Sequence, residues 1–322
     1  MPWWGETQAE KQRREAQEAT QRALERGQIP YKARHRLELQ GKSESGFFTS
    51  DLSCREYLLT QEAGYQPLGL VMGTAFYRIS FLGFFRGYQT VTGELSAMSQ
   101  AQLAAREMAV SRLRQEAALL GANGVIGVRL KLNDYSWSSR TIEFTAIGTA
   151  IRIPNRQPDP QPFTSDLSGQ EFWQLHQAGY YPRGLVFGVC SYYVHTDNNT
   201  RNLTRGGLFG RGSGQNQEIR SYTEGFQTAR HLAMARLKAD IRNHAAEGAV
   251  GMHIDMGIED IEYELNNTTY HDLLAHFVAV GTAISQDPEP IATTPKSPLT
   301  IYDLAYGKTN ILSANNSKPS TH

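Results

Sequence analysis

Three histidines in the second half of the chain have the residue type and placement that metal binding needs. His253 lies in one predicted strand, and His271 and His276 lie in the strand that follows, so a hairpin would place His253 opposite His276. Neutral imidazole binds Zn²⁺ and other divalent transition metals. A divalent metal site is therefore one prediction. The alternative is an ordinary polar pair, because Arg129 and Glu143 hold the matching places earlier in the chain.

Other signatures of metal binding and catalysis are absent from the sequence. It contains no Cys-x-x-Cys, no His-Glu-x-x-His and no acidic calcium loop. Cys54 and Cys190 are the only cysteines, which argues against a disulfide framework or a thiolate cluster. There is also no Gly-x-Ser-x-Gly elbow and no nucleophilic cysteine with a recognisable base. We therefore expect a protein that is not an enzyme, with its cofactor unknown.

Three arginines in a Gly-rich loop are candidates for anion binding. Arg201, Arg205 and Arg211 lie between residues 196 and 214 with Phe209 among them, a mixture that suits phosphate or single-stranded nucleic acid. The loop lacks the Gly-Lys-Ser/Thr ending of a phosphate-binding loop, and we favour the interpretation of this loop as a flexible connector over an anion site. Lys plus Arg and Asp plus Glu number 32 each, so the chain has no basic excess that would attract nucleic acid. We do not expect nucleic acid to be a partner.

The elements that would position these residues occur twice. Residues 48–53 return at 163–168, and matched glutamate, glycine, tyrosine and proline residues follow with the same shift of 115 positions. A fixed spacing across such different residue types indicates a duplicated domain. Periodicity and turn residues predict the same order in each copy, which is helix, strand, long helix, strand, strand. The predicted fold class is α+β.

Local signals predict where these elements begin and end. Ser53 with Glu56, and Ser168 with Glu171, have the spacing of a capping box at the start of a helix. The first long helix should end at Gly121, a residue suited to a left-handed cap. Ala245 replaces this glycine in the second copy, so we predict that the second long helix continues to residue 247. The last two strands are predicted at 124–132 and 141–153, and at 248–256 and 271–284 with a connecting loop about nine residues longer.

Composition divides the chain into five segments. We predict a helical or flexible extension at 1–46, a first repeat at 47–153, a Pro-rich linker at 154–162, a second repeat at 163–285 and a disordered tail at 286–322. No apolar run reaches 18 residues, and the first residues lack the apolar region of a secretion signal. We therefore expect a cytoplasmic protein with no membrane partner.

Conserved spacing between the copies involves glycines and one arginine in each. The first copy contributes Gly69, Gly73, Arg106, Gly121 and Gly148, and the second contributes Gly184, Gly188, Arg230, Gly248 and Gly281. We interpret the glycines as structural. The arginine pair could bridge subunits, anchor an anion or persist by descent alone.

This pattern resembles the bacterial YbjQ-like family, which is catalogued as heavy-metal-binding domains. The resemblance implies small, dodecin-subunit-like α+β domains whose sheets join those of neighbours in a ring, commonly with five-fold symmetry. It implies no established reaction. We therefore predict a non-enzymatic, self-associating scaffold or binding protein made of two such domains. The alternative is a metal- or anion-binding protein that uses sites in the second repeat.

Overall fold

The computed structural model describes residues 7–42, 49–78, 91–135, 138–197, 200, 218–265 and 268–287. The helices within these ranges are α1 (Gln8–Glu25), α2 (Tyr31–Lys42), α3 (Cys54–Glu62), α4 (Ser96–Leu119), α5 (Gly169–Gln177) and α6 (Arg220–Asn243). The two long helices are α4 and α6, with 24 residues each. The strands are β1 (Gln66–Arg78), β2 (Gly93–Glu94), β3 (Gly124–Tyr135), β4 (Ser138–Arg152), β5 (Phe163–Thr164), β6 (Tyr180–Val194), β7 (Gly248–Leu265) and β8 (Thr268–Gln286).

The strands form two four-stranded sheets. The first sheet has the order β1-β4-β3-β5, and the second has the order β2-β6-β8-β7. Pairing is antiparallel throughout except between β3 and β5, which are parallel. The predicted α+β class is confirmed. Among the described helices, none combines the length and the hydropathy that crossing a bilayer requires.

Both predicted capping boxes are present. Ser53 accepts a hydrogen bond from the Glu56 backbone and donates its own N–H to the Glu56 carboxylate, 2.8 Å away. Ser168 and Glu171 make the same reciprocal pair. Both helices therefore begin where the sequence predicts.

Each long helix lies very close to the first strand of its half. A Cβ added at Gly73 would stand 2.0 Å from the Ala109 carbonyl oxygen, and one added at Gly188 would stand 2.2 Å from that of Ala233. No side chain fits at these crossings, so glycine is required there. The helix faces toward the sheets carry the buried side chains of Ala105, Ala109, Leu113 and Ala117 in α4, and of Ala229, Ala233 and Leu237 in α6.

Side chains of the long helices also bind the edges of β1 and β6. The Met72 N–H donates to Glu116 Oε2 at 2.9 Å, and the Phe187 N–H donates to Asp240 Oδ2 at 2.9 Å. Arginine one turn earlier donates to a strand carbonyl in both halves, through the pairs Arg112 with Thr74 and Arg236 with Val189. Edge groups that could pair with another chain are thus occupied by the helix.

The two halves exchange short strands. β5, at the start of the second half, adds to β3 of the first sheet. β2, which precedes α4 of the first half, pairs with β6 of the second sheet. Helices α1 and α2 pack on the first half alone, where the Ile29 N–H donates to Gln115 Oε1 at 3.1 Å and Leu37 is fully buried.

The predicted extension of α6 to residue 247 is wrong. The helix ends at Asn243, and Ala245 itself adopts the left-handed conformation with φ 49°. Its N–H donates to Arg242 O at 2.9 Å, as the N–H of Gly121 donates to Ala118 O. The chain must leave the helix here because the Glu247 N–H already donates to Ile284 O at 2.9 Å in the sheet. Sheet pairing therefore overrides the local preference of alanine.

The prediction of a long loop between the last two strands of the second half, from residue 257 to residue 270, is also wrong. β7 and β8 continue pairing as far as Leu265 and Thr268. Tyr263 stacks on Tyr270 across the ladder with ring centroids 5.3 Å apart. In residues 257–265, apolar residues alternate with acidic ones, and the apolar residues favour a strand over a polar loop.

Ala245 offers a direct test of this helix ending. Ala245→Gly should raise the free energy of unfolding by about 1 kcal/mol, because glycine adopts a left-handed cap without the steric cost that alanine has. Gly121→Ala is the matched control and should lower it by a similar amount or more. Urea unfolding measures both variants. An unchanged or reduced stability of the Ala245→Gly variant would contradict the assigned backbone conformation.

Candidate functional site

The three candidate metal-binding histidines do not meet in the folded chain. His253 pairs with Val280, and His276 pairs with Gly257. The prediction that His253 lies opposite His276 is therefore wrong. Four residues of strand separate the two positions, which is about 13 Å. His271 lies farther along the hairpin, pairs with Glu262 and contacts Asp260 at 2.9 Å. The error has the same origin as the loop error, because a longer hairpin shifts every cross-strand neighbour.

Within the described part of the chain, no group of three or more histidine, cysteine, aspartate or glutamate side chains could hold a metal ion. Arg201, Arg205 and Arg211 lie outside the described residues, so the anion site stays a prediction from the sequence.

His276 belongs instead to a polar group at the contact between the halves. Its Nδ1 lies 2.9 Å from Ser191 Oγ, and its Nε2 lies 3.3 Å from Glu259 Oε1. These are the atom types of a serine hydrolase triad. Ser191, however, is 0% exposed beneath Gln102 of α4, so no substrate can reach its hydroxyl. The other buried nucleophile is equally inert, since burial raises the pKa of Cys190 to about 12.

The contact between the two halves is apolar. One hydrophobic cluster contains Val128 of β3 together with Leu185 and Phe187 of β6, and Leu130 packs against it. Leu185 and Phe187 are each 3% exposed. Strand β6 is therefore covered on both faces, by α6 on one side and by the first half on the other.

Backbone hydrogen bonds reinforce this contact. The Gly127 N–H donates to Leu167 O at 2.8 Å, and the Val128 N–H donates to Ser165 O at 2.9 Å. Ser165 also places its hydroxyl 3.0 Å from that of Thr282 in the second sheet. The segment before α5 thus binds its own sheet through side chains and the sheet of the other half through its backbone.

The equivalent surfaces at the far sides of the chain are open. On β1, Leu70 is 38% exposed and Met72 is 49% exposed, although their counterparts 115 residues later are Leu185 and Phe187. We call the exposed side chains Leu70, Met72 and Phe76 the β1 face. On β7 four alternate residues are exposed, which are Met252 (38%), Ile254 (47%), Met256 (57%) and Ile258 (58%). We call these four the β7 stripe.

The β7 stripe also corresponds to a surface that is covered in the other half. Met252 and Ile254 match Val128 and Leu130, which lie 124 residues earlier and pack in the cluster between the halves. A contiguous apolar surface of this kind, on an edge strand, is a signature of an interaction site.

The paired arginines of the long helices show the same difference. Arg106 is 5% exposed, with its guanidinium carbon 4.3 Å from the ring centroid of Phe144, and burial lowers its pKa to about 10. The negative charge of Asp255, in the second sheet, acts in the opposite direction on that pKa. Arg230, the counterpart in α6, is exposed. One copy of this residue is used at the contact between the halves, and the other faces outward.

A buried polar cluster ties the halves together at the other end of the sheets. Arg156 of the linker donates to both carboxylate oxygens of Asp287 at 2.7 and 2.8 Å. His176 Nε2 lies 3.2 Å from Asp287, and its Nδ1 contacts the Tyr65 hydroxyl. A neutral imidazole satisfies all of these groups, accepting from Tyr65 and donating to Asp287.

Sequence patterns alone missed the β1 face and the β7 stripe. A signal for the stripe exists, because Met252, Ile254, Met256 and Ile258 alternate with polar residues or glycine. That alternation predicts one apolar face of a strand but not whether the face is covered. Leu70 and Met72 of the β1 face carry no separate signal, since their counterparts Leu185 and Phe187 in β6 are equally apolar but buried.

The comparisons agree with this architecture. A family model described as "Putative heavy-metal-binding" matches residues 60–154. The fold and this match define the class of protein as YbjQ-like.

Two relatives make the assignment more specific. The chain is 32% identical over 253 residues to the "Encapsulin nanocompartment protein Rv1762c" of Mycobacterium tuberculosis, a match that covers 77% of this chain and 89% of that protein. It is 36% identical over 86 residues to a "UPF0145 protein" of Enterococcus faecalis, covering 26% of this chain and 73% of that protein. The chain therefore belongs to the same family as the mycobacterial protein, and its residues 60–154 match the YbjQ-like model.

His176 should make stability depend on pH. Burial lowers the pKa of His176 from its ordinary 6.5, so the unfolded chain takes up a proton that the folded chain does not. This contribution to the free energy of unfolding is present above that value and is lost as the pH falls through the lowered pKa of the folded chain. His176→Gln should therefore show a shallower decline than the wild type when urea unfolding is compared between about pH 7 and pH 5.

His244 is the matched control for this measurement. A hydrogen bond donated by the His244 ring to the Asp240 carboxylate raises the pKa of His244, so its contribution has the opposite sign and favours the folded chain at low pH. His244→Gln should steepen the decline. Equal declines in the wild type and the His176→Gln variant would show that the buried cluster does not govern the pH dependence.

Proposed function

We propose that this chain is a non-enzymatic, self-associating scaffold or binding component of a protein nanocompartment, built from two tandem YbjQ-like domains. The observation that carries the proposal is the exposure of Met252 and Ile254 in the β7 stripe and of Leu70 and Met72 in the β1 face. Their counterparts Val128, Leu130, Leu185 and Phe187 pack together at the contact between the halves. Exposed apolar strands at a sheet edge favour association with another chain.

The order of elements supports two tandem domains. The first half has α3, β1, α4, β3 and β4, and the second has α5, β6, α6, β7 and β8 in the same order. The crossing glycines Gly73 and Gly188 lie against equivalent turns of the long helices. The family model covers the first half, and the second half has the same architecture with a diverged sequence.

The burial of Ser191 and Cys190 supports a non-enzymatic role. Ser191, the serine beside His276 and Glu259, is completely buried, and burial holds the Cys190 thiol protonated. A scaffold needs complementary surfaces and no reacting centre, which agrees with what the described residues provide.

The name of the mycobacterial relative supports the proposal that this chain is a component of a nanocompartment. The match extends over 89% of that protein, so it includes both halves of the present chain. Five-fold closure of a ring, which the family resemblance implies, is part of the proposal.

Native mass spectrometry of the untagged protein tests self-association. At micromolar concentration the spectrum should show one discrete oligomer whose mass is a multiple of the 36.0 kDa chain. Its population should decrease on dilution, because separate chains are held by non-covalent contacts. A monomer at every concentration up to the micromolar range would refute the proposed function.

A further inference from the structure

We infer that copies of this chain associate head to tail, with the β7 stripe of one copy bound to the β1 face of the next, in the arrangement that joins the two halves within a chain. This inference rests on the proposed self-association and specifies the surfaces that produce it.

The contact inside the chain supplies the template. On its first-half side, the cluster contains Val128 and Leu130 of β3, and on its second-half side it contains Leu185 and Phe187 of β6. The second half possesses the first kind of surface as the β7 stripe, and the first half possesses the second kind as the β1 face. Every chain therefore carries one open surface of each kind.

Backbone groups are arranged for the same repetition. Strand β7 is the last strand of the second sheet, so its outer edge is open among the residues that the structure describes. Its counterpart, the outer edge of β3, is paired with β5. By equivalence, the edge of β7 accepts the segment just before α3 of a second copy.

That segment already has the required placement. Ser50 Oγ lies 3.3 Å from Thr149 Oγ1, and the Asp51 N–H donates to the same oxygen at 3.1 Å. Ser165 and Asp166 make the matching contacts with Thr282 while their segment also binds β3. The segment at 49–52 is thus held on its own sheet as residues 164–167 are.

One charge differs between the internal contact and the inferred one. Within the chain Asp255 acts on Arg106, whereas the residues at the equivalent positions are Lys131 and Arg230. Two cations would approach each other between copies, so association should strengthen as salt screens them. A contact with unlike surfaces on its two sides also builds rings rather than isolated dimers when its rotation closes.

A mixing experiment tests the pairing of the two surfaces. Ile254→Glu disables the β7 stripe and leaves the β1 face intact, and Leu70→Glu does the reverse. Each variant alone should be monomeric by native mass spectrometry, and an equimolar mixture should form a heterodimer and nothing larger. Leu39→Glu, at a 57% exposed leucine on α2, is the control and should assemble as the wild type does.

Lys131→Asp gives a second and opposite readout. This substitution recreates the Arg–Asp combination of the internal contact. The variant oligomer should therefore dissociate at a concentration at least threefold lower than the wild-type oligomer does. Its association should also lose the strengthening by salt. No change in either property would count against the inferred register of the contact.

The outcomes separate this inference from the proposed function. A monomeric wild type overturns both. An oligomeric wild type whose Ile254→Glu and Leu70→Glu variants still assemble overturns the head-to-tail contact alone, as does a mixture of monomeric variants that fails to pair. If the stripe is instead covered by residues 288–322 of its own chain, Ile254→Glu will lower the urea midpoint without changing the oligomer, and this result also overturns the inference.

Discussion

The architecture depends on how closely each long helix lies against the first strand of its half. At Gly73 and Gly188 the helix backbone is near enough that a methyl group would overlap a carbonyl oxygen. This distance lets Glu116 and Asp240 reach the N–H groups of the strand edge, so one packing arrangement fills the core and occupies the edge. The contact between the halves is built on the outer surfaces of these helix–sheet units.

Much of this unit could be predicted from the sequence because its causes are local. The capping pairs Ser53–Glu56 and Ser168–Glu171, the small-residue face of the long helices and the α+β class follow from spacing and periodicity. The hairpin register could not be predicted, since it depends on where two strands stop pairing. The observed register places His253 opposite Val280 and His276 opposite Gly257, so the two histidines lie apart. The left-handed conformation of Ala245 could not be predicted for a related reason. The sheet sets that conformation through the hydrogen bond of the Glu247 N–H to Ile284 O.

The candidate site shows why repeated residues do not have repeated roles. Arg106 and Arg230 occupy equivalent turns, yet one is stacked on Phe144 at the contact between the halves and the other is exposed. Sequence comparison of the copies does not separate the roles of the two arginines, because both are retained. The difference comes from position in the chain, since only the first long helix has a second half of the same chain to pack against. The exposure of the β1 face and the β7 stripe therefore depends on which half of the chain carries each surface.

Asp287, the last residue that the structure describes, is held at a fixed place by Arg156, by His176 and by its own N–H bond to Gly179 O. Residues 288–322 of every copy consequently start from the same point on the folded chain. In a ring of head-to-tail copies these starting points are related by the ring symmetry, so a ligand of that terminal sequence would meet several identical sites together. Linking sites in this way raises avidity by about 10²–10⁴ over a single site. In the proposed assembly, the buried cluster would thereby give every copy the same starting point for residues 288–322.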